Sequence, residues 1–259
     1  KFIYKKPAFN KKKINNFKIT KVKIDGLKYE IYKLTNGRVF TNKNDVTAYI
    51  SKDNFITSGS LQFKKFDNIN SFNQSIQRNQ VLTEGTPNLK KKFNGNVLSL
   101  LSGGAARNNF THWFTDVVPR LIIFNKIYNL NEIKKFYVPS VKKHYQIESL
   151  KLLGIKEKQL ISSEKYKHIE ADSLFFTSHP CNFKPTEVSK WSLYNLRNLF
   201  LKKNIKLEKK YKKIFLIRDQ ANLINKNNLK KYSSLRVLLN ENEIKKFLQD
   251  KGFTIIKPE

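Results

Sequence analysis

The chain has 259 residues, 39% of them hydrophobic with 20 Phe and 11 Tyr, which is enough for a large core and excludes a wholly disordered protein. Its formal net charge of +31 rests on 44 Lys and only 7 Arg. Because Arg makes the bidentate contacts that read DNA bases, this charge disfavours specific nucleic-acid recognition and favours a diffuse preference for anionic membranes or polyanionic glycans.

The N-terminal part has the pattern of short strands. Residues 1 to 25 are Lys-rich with weak alternation and predict an extended arm. From 27 to 63, short runs alternate apolar and polar residues and are broken by turn signals, which predicts a β-meander. The Asn-, Gln- and Lys-rich stretch from 64 to 94 predicts a loop with a short helix.

From residue 96 strand and helix patterns alternate, which predicts a parallel sheet covered by helices. The expected strands lie at 97–101, 136–139, 159–163, 173–178, 214–217 and 253–256, and the expected helices at 109–129, 143–153, 187–203 and 241–251. The sequence has no run of 18 or more apolar residues, so it predicts no transmembrane helix within these residues.

The charged stretch 202 to 213 predicts a boundary between a first domain, 1–205, and a second domain, 206–259. A doubly wound sheet does not close with two strands and one helix, so the second domain is expected to be truncated. The initial Lys and the absence of Met also lead us to expect that the chain is not a complete translation product.

The segment GGAARNNFTHWFTDVVPR, residues 103 to 120, is the strongest pointer to function. His112 and Asp116 are four residues apart and are expected on one helix face, with Trp113 and Arg120 beside them. An imidazole over a carboxylate is a general base with its orienting group, and either residue is a candidate for the base. The alternative is a capped, buried helix without a catalytic role.

Together with residues near the end of the chain, this segment resembles glycosyltransferase family 61. The family's block N-[YF]-x-H-W-x-x-D-x-x-P-R-L is filled here by Asn109, Phe110, His112, Trp113, Asp116, Pro119, Arg120 and Leu121. A strand ending in Arg and then R-x-x-x-N-E-x-E is filled by Arg218, Arg236, Asn240, Glu241 and Glu243. The resemblance implies an α/β fold of the GT-B type, with two Rossmann-like domains facing a cleft. It implies an inverting hexosyl- or pentosyltransferase that uses a nucleotide sugar.

The second block is expected to bind the nucleotide sugar. Arg218 follows a strand at the edge where α/β sheets bind ligands, and its guanidinium can hold two phosphate oxygens. Arg236 is a candidate for the same anion or for a loop salt bridge. Glu241 either binds a sugar hydroxyl or complements the helix dipole. Asn240 and Glu243 have the spacing of a capping box, which favours a structural role for Asn240.

The first block is expected to serve the acceptor. His112 or Asp116 would take the proton from the acceptor hydroxyl while the other orients it. Trp113 belongs more often to a core than to a sugar-binding platform. The candidates for the acceptor or cleft are Arg107, Asn109, Trp113 and Arg120.

The sequence does not support a bound metal. It has no D-x-D triplet, its single cysteine Cys181 has no C-x-x-C partner, and its histidines lack metal-ligand spacing. No cofactor is therefore expected besides the nucleotide-sugar donor, and the expected partners are that donor, a glycan or glycosylated acceptor and, peripherally, an anionic membrane.

The resemblance suggests capsule or lipopolysaccharide assembly in the cytoplasm or at the inner membrane of a bacterium, or glycan synthesis in a eukaryotic Golgi or endoplasmic reticulum lumen. The alternative of another class is a non-catalytic basic module that binds polyanions with steep salt dependence. A hydrolase is disfavoured, since the sequence contains no G-x-S-x-G nucleophile elbow.

Overall fold

The computed structural model of the chain describes residues 4–9, 14–42, 46–62, 79–101, 109–181, 190–201, 212–217 and 240–257. The chain forms two compact units, Lys1–Lys202 and Lys203–Glu259. The assignment of an acceptor-side and a donor-side domain stays a prediction.

The first unit contains twelve strands and five α-helices among its described residues. The strands are β1 (Tyr4–Lys5), β2 (Ala8–Phe9), β3 (Phe17–Ile24), β4 (Leu27–Thr41), β5 (Val46–Ile50), β6 (Phe55–Ile56), β7 (Leu61–Gln62), β8 (Thr86–Pro87), β9 (Lys91–Ser99), β10 (Lys135–Val138), β11 (Leu160–Ser162) and β12 (His168–Thr177). The helices are α1 (Val81–Glu84), α2 (Phe110–His112), α3 (Val118–Asn125), α4 (His144–Leu152) and α5 (Lys190–Phe200), with a π-helical turn at Trp113–Val117 and 3-10 turns at Leu130–Glu132 and Glu157–Gln159.

Ten of the strands form one mixed sheet. Its main path is β11-β10-β9-β12-β4-β5-β6-β2, and β3 and β7 pair with β4 and β5. The strands from β11 to β12 are parallel, whereas β3, β4, β5 and β6 pair successively in antiparallel fashion as a meander. β12 joins the two halves because it pairs with β9 on one side and β4 on the other. The first unit is therefore a mixed α/β structure.

The prediction of an extended arm over residues 1 to 25 was wrong for β3. This strand pairs along its whole length with β4, and its side chains Val22 and Ile24 are buried. The two-residue turn Asp25–Gly26, in which both φ angles are positive, closes the hairpin. Asp-Gly is a strong signal for such a turn because both central positions need the left-handed conformation.

Two strands begin earlier than their apolar runs predicted. β9 starts at Lys91 and β12 at His168, although the apolar pattern begins only at 97 and 173. The first half of β9 is mostly exposed or half-buried, so it carries no continuous apolar signal. Within the predicted loop over 64 to 94, the short helix is α1 (Val81–Glu84), whereas the loop was wrong at β8 (Thr86–Pro87) and for its last four residues, which belong to β9. The predicted helix 187–203 is described from Lys190 and ends at Phe200.

The sheet has a core on each face because successive strand side chains point to opposite sides. On one face Leu98, Phe136 and Phe175 pack against the helices after β9, α4 and α5. On the other face, side chains of β4 and its neighbours form a second core, in which Tyr49 of β5 stacks on Phe176 of β12 with ring centroids 3.6 Å apart.

The second unit contains the parallel pair β13 (Ile214–Leu216) and β14 (Thr254–Ile256), with α6 (Glu241–Asp250) between them in the chain. The predicted capping box at Asn240 was wrong, because its side chain makes no capping hydrogen bond to α6.

Candidate active site

The order of the parallel strands reverses at β9. The chain runs from β9 outward through β10 to β11 and then returns to place β12 on the other side of β9. In open α/β sheets, ligands bind outside the carboxyl ends of the strands at such a reversal of strand order. β9 and β12 end at Ser99 and Thr177, so the segments after these residues are the place to look for a site.

The helical segment after β9 contains the π-helical turn Trp113–Val117, in which the N–H of Val118 donates to the carbonyl of Trp113. Pro119 explains this turn. It has no N–H to offer the Thr115 carbonyl four residues earlier, and its ring would crowd that carbonyl in a regular α-helix. The prediction of one uninterrupted helix was therefore wrong. Single π turns inside helices are frequent at functional sites.

Arg120 ties this helical segment to the end of β12. Its Nε donates to the carbonyl of Asp116 at 2.9 Å, and its Nη1 donates to the carbonyl of Thr177 at 2.7 Å. A second contact to the segment after β12 is made by Cys181, whose Sγ lies 3.8 Å from the carbonyl of Thr115. Arg120 is fully buried, which favours a structural role, and its place at an acceptor cleft stays a prediction. It holds the backbone on which Asp116 stands.

His112 and Asp116 form the contact expected from their spacing. His112 Nδ1 lies 2.8 Å from Asp116 Oδ2, which leaves the imidazole Nε2 for another partner. The side chain of Asp116 is 9% exposed and that of His112 is 41% exposed. The carboxylate therefore sits inside the protein and orients an imidazole whose other edge is accessible to a ligand.

The second carboxylate oxygen of Asp116 also has donors. Thr115 Oγ1 donates to Oδ1 at 2.7 Å, and Cys181 Sγ lies 3.6 Å from the same oxygen. His179 Nε2 lies 3.8 Å from Oδ2. With donors on both oxygens, Asp116 is held in place as an acceptor and has little capacity to receive a proton from a substrate.

The sequence analysis missed His179 and Cys181. Both follow β12, 63 or more residues after Asp116 in the chain, and the N–H of Cys181 donates to His179 Nδ1 at 3.2 Å. Their position directly after a parallel strand was the available signal, because such positions lie at the ligand-binding edge of the sheet. The two residues complete the surroundings of Asp116.

The titration of the cluster follows from these contacts. Burial alone would raise the pKa of Asp116, but the hydrogen bond from His112 and the charge of His179 outweigh it, so this pKa is lowered. The bond to Asp116 raises the pKa of His112 despite partial burial. Burial lowers the pKa of His179 to about 4, assisted by the charge of Arg120. At neutral pH the cluster therefore holds an ionised Asp116 and a neutral His179.

The cysteine is a hydrogen-bond donor in this cluster. Burial, followed by the negative charge of Asp116, raises the pKa of Cys181 to about 12. The group thus stays a thiol at neutral pH, and it does not act as a thiolate nucleophile here.

Two other candidates of the first block have structural roles in the described residues. Asn109 caps α2, since its side chain accepts from the N–H of His112 at 3.2 Å. Trp113 is fully buried, and its Nε1 donates to Ser149 Oγ at 2.9 Å. A sugar platform needs an exposed ring face, so the buried ring favours the core role for Trp113, and its place in an acceptor cleft stays a prediction. Arg107 lies outside the described residues.

The candidates of the second block are less fully described. Arg218 and Arg236 lie outside the described residues, so their roles stay predictions. Glu241 is the first residue of α6, its side chain is buried, and its Oε1 lies 2.8 Å from Lys245 Nζ. Its predicted contact with a nucleotide sugar stays a prediction as well.

No metal site is present among the described residues, since no three His, Cys, Asp or Glu side chains cluster there suitably. Within the same ranges, no helix is long and apolar enough to cross a membrane.

The fold and the cluster define an α/β protein with a buried carboxylate that orients an accessible imidazole at the ligand-binding edge of its sheet. The family model described as Glycosyltransferase 61 matches residues 110–259, more than half of the chain. The chain belongs to the Glycosyltransferase 61 family. No curated protein and no solved structure shows significant similarity to it.

Family membership implies glycosyltransferase activity, with a nucleotide-sugar donor and a glycan acceptor in general terms. The matched range begins at Phe110 and includes the whole Asp116 cluster.

Proposed function

We propose that this glycosyltransferase is an inverting enzyme with a GT-B arrangement, in which His112 is the general base and Asp116 orients it. The observation that carries the proposal is the 2.8 Å contact between His112 Nδ1 and a buried Asp116 carboxylate already supplied with other donors. A carboxylate in this position fixes the tautomer with the proton on Nδ1 and leaves Nε2 free to accept one.

The proposed reaction is a single displacement. His112 Nε2 takes the proton of the acceptor hydroxyl as that oxygen attacks the anomeric carbon of the donor sugar. The bond from that carbon to the diphosphate oxygen breaks, and the nucleoside diphosphate leaves with the electron pair. Attack opposite the leaving group inverts the anomeric configuration.

The negative charge that grows on the diphosphate needs stabilisation without a metal in this proposal. We assign it to Arg218 and Arg236, whose guanidinium groups can hold two phosphate oxygens at once, and we place Glu241 beside the donor sugar. The acceptor is a glycan or protein-linked glycan. In a bacterium the product would belong to capsule or lipopolysaccharide synthesis at the cytoplasmic side of the inner membrane, and in a eukaryote to the Golgi or endoplasmic reticulum lumen.

The pH profile separates the two candidate bases. A base must be unprotonated, so with His112 in this role kcat/KM should rise with pH through a pKa raised above 6.5. With Asp116 as the base, the rise would fall in the acid range, because the pKa of this carboxyl is lowered. Asp116→Asn removes the ionised partner that raises the pKa of His112, so the rise of kcat/KM with pH should move to lower pH. A profile of Asp116→Asn in which this rise stays at the wild-type pH would contradict the assignment.

Donor binding is tested by thermal shift with a panel of nucleoside diphosphates and nucleotide sugars, comparing the wild type with Arg218→Ala. Ligand at about a hundred times its dissociation constant should stabilise the protein by roughly 2.7 kcal/mol. Lys212→Ala is a matched control that removes one nearby exposed positive charge. A selective shift that Arg218→Ala abolishes and Lys212→Ala preserves supports the donor site. Equal responses in both variants, together with steep salt dependence, would instead favour diffuse polyanion binding.

A further inference from the structure

A polar pocket lies at the start of β12, at the opposite end of this strand from the Asp116 cluster. It has a volume of about 420 Å³, within the usual size range of small-molecule sites. Its walls include His168, the first residue of β12, whereas Arg120, which also bonds the carbonyl of Asp116, contacts Thr177, the last residue of β12. Nine strand steps separate these two residues, or about 30 Å. The pocket is therefore distinct from the candidate active site.

Arg38 is the central cation of this pocket. It is only 9% exposed, and its Nη1 donates to Thr86 Oγ1 at 2.7 Å and lies 3.0 Å from His168 Nε2. Its Nη2 donates to Asn54 Oδ1. Burial and the charge of Arg38 lower the pKa of His168 to about 4, so this partner is neutral at pH 7. The hydrogen-bond partners of the guanidinium, Thr86, His168 and Asn54, are thus all neutral, and the carboxylate that lines the same pocket is Glu170.

The lysines around Arg38 leave an excess of positive charge. Lys90 Nζ lies 3.0 Å from Glu170, and Lys92 Nζ lies 3.9 Å from Asp172, so these two lysines are paired. No salt bridge to a carboxylate is found for Arg38, Lys5 or Lys52 within the described ranges.

Burial lowers the pKa of Arg38 to about 10, and the charge of Glu170 opposes this effect. Glu170 is the carboxylate of the pocket lining and its salt bridge is to Lys90, so the cations of the pocket outnumber its carboxylates. The pocket also presents amide and hydroxyl groups from Asn36, Ser51 and Asn88, which suit the hydroxyls of a sugar. These features together fit a ligand that carries both an oxyanion and several hydroxyl groups.

We propose that this pocket binds a saccharide unit bearing a phosphate or carboxylate group, with the oxyanion held by Arg38, Lys5 and Lys52. The site is separate from the transfer reaction, and the proposal does not depend on the assignment of His112 as the base. It gives the protein a second carbohydrate-binding position for an acidic or phosphorylated glycan.

The test is titration calorimetry of the chain with glucose 1-phosphate and with glucuronate, using glucose as the uncharged control. The double variant Lys5→Gln/Lys52→Gln removes two exposed pocket charges, and Lys126→Gln/Lys156→Gln removes two exposed charges elsewhere on the first unit. At about 0.15 M salt, charges beyond roughly 8 Å are screened, so only the pocket pair should matter. We expect the pocket pair to weaken binding roughly tenfold or more.

Arg38→Gln should abolish binding at the same site, and it also removes the hydrogen bonds of Arg38 to Thr86 and His168. If this variant does not fold, the exposed lysine pair still decides the question. The two anions distinguish a phosphate from a carboxylate ligand. The proposal would be overturned if both double lysine variants weakened anion binding equally or if neither weakened it. It would also be overturned if neither glucose 1-phosphate nor glucuronate bound to the wild type.

Discussion

Two buried histidines, His168 and His179, are expected to make the first unit unstable in mild acid. Burial is the main cause that lowers the pKa of each from 6.5 to about 4. Between these values the unfolded chain binds protons that the folded chain does not, so the free energy of unfolding falls as the pH falls. Each histidine contributes about 1.4 kcal/mol per pH unit. By pH 4.5 the two together should remove roughly 5 kcal/mol, a large part of the 5 to 15 kcal/mol typical of a domain.

His112 and Asp116 change the free energy of unfolding at pH values outside the range between 6.5 and about 4. The pKa of His112 is raised, so its contribution is fully present below 6.5 and is lost only as the pH rises through its folded pKa. The pKa of Asp116 is lowered, so its contribution is present above the pKa of the unfolded carboxyl and is lost as the pH falls through the folded value. The slope between pH 6.5 and 4.5 therefore reports mainly the two buried histidines.

The assay is urea unfolding at a series of pH values, followed by tryptophan fluorescence. Both tryptophans, Trp113 and Trp191, are buried in the first unit, so the signal reports that unit. His168→Gln and His179→Gln should each remove about half of the slope, and the double variant should leave only the background of the carboxylates. A wild-type free energy of unfolding that is flat between pH 7 and 5, or a slope that the double variant retains, would refute the reasoning.

Three further predictions concern the site and the core. Asp116→Asn should lower kcat by roughly 10²- to 10⁴-fold in a sugar-transfer assay, because His112 loses the charge that supports it as a base. Trp113→Ala should destabilise the first unit by about 3 to 5 kcal/mol in urea unfolding, since it opens a cavity in the core. Gly59→Ala should lower the melting temperature more than Gly26→Ala: both have positive φ, but only at Gly59 would the new methyl group meet aromatic rings, at 2.8 and 2.9 Å.

Several elements were predicted closely, both in the core and at the surface, as α6 and β13 also match their expected bounds to within one residue. β10 and α4 match their expected positions to within one residue at each end, and α4 ends before Gly154, whose φ is +81°. The early halves of β9 and β12 escaped prediction because they lie partly exposed and mix charged with apolar residues. The pairing of β12 with β4, which joins the meander to the parallel strands, depends on contacts between distant segments and has no local signature.

The site was predictable where it is local in the chain. His112 and Asp116 are four residues apart on one helical segment, so spacing alone predicted their contact. His179 and Cys181 come from the segment after β12, and only the strand order brings them to Asp116. Trp113 belongs to the core cluster, the role that the sequence analysis gave as the more frequent one for such a residue.

Pro119 links the motif to this geometry. Because a proline cannot donate to the carbonyl of Thr115, the helix widens into a π turn there, and Cys181 Sγ approaches that carbonyl from the segment after β12. One residue later, Arg120 fastens the same turn to the last carbonyl of β12. Asp116 stands between these two attachments, so its carboxylate is fixed relative to the edge of the sheet. The proline and arginine of the motif thus act on the backbone, and through it they fix the position of Asp116, whose carboxylate contacts the imidazole of His112.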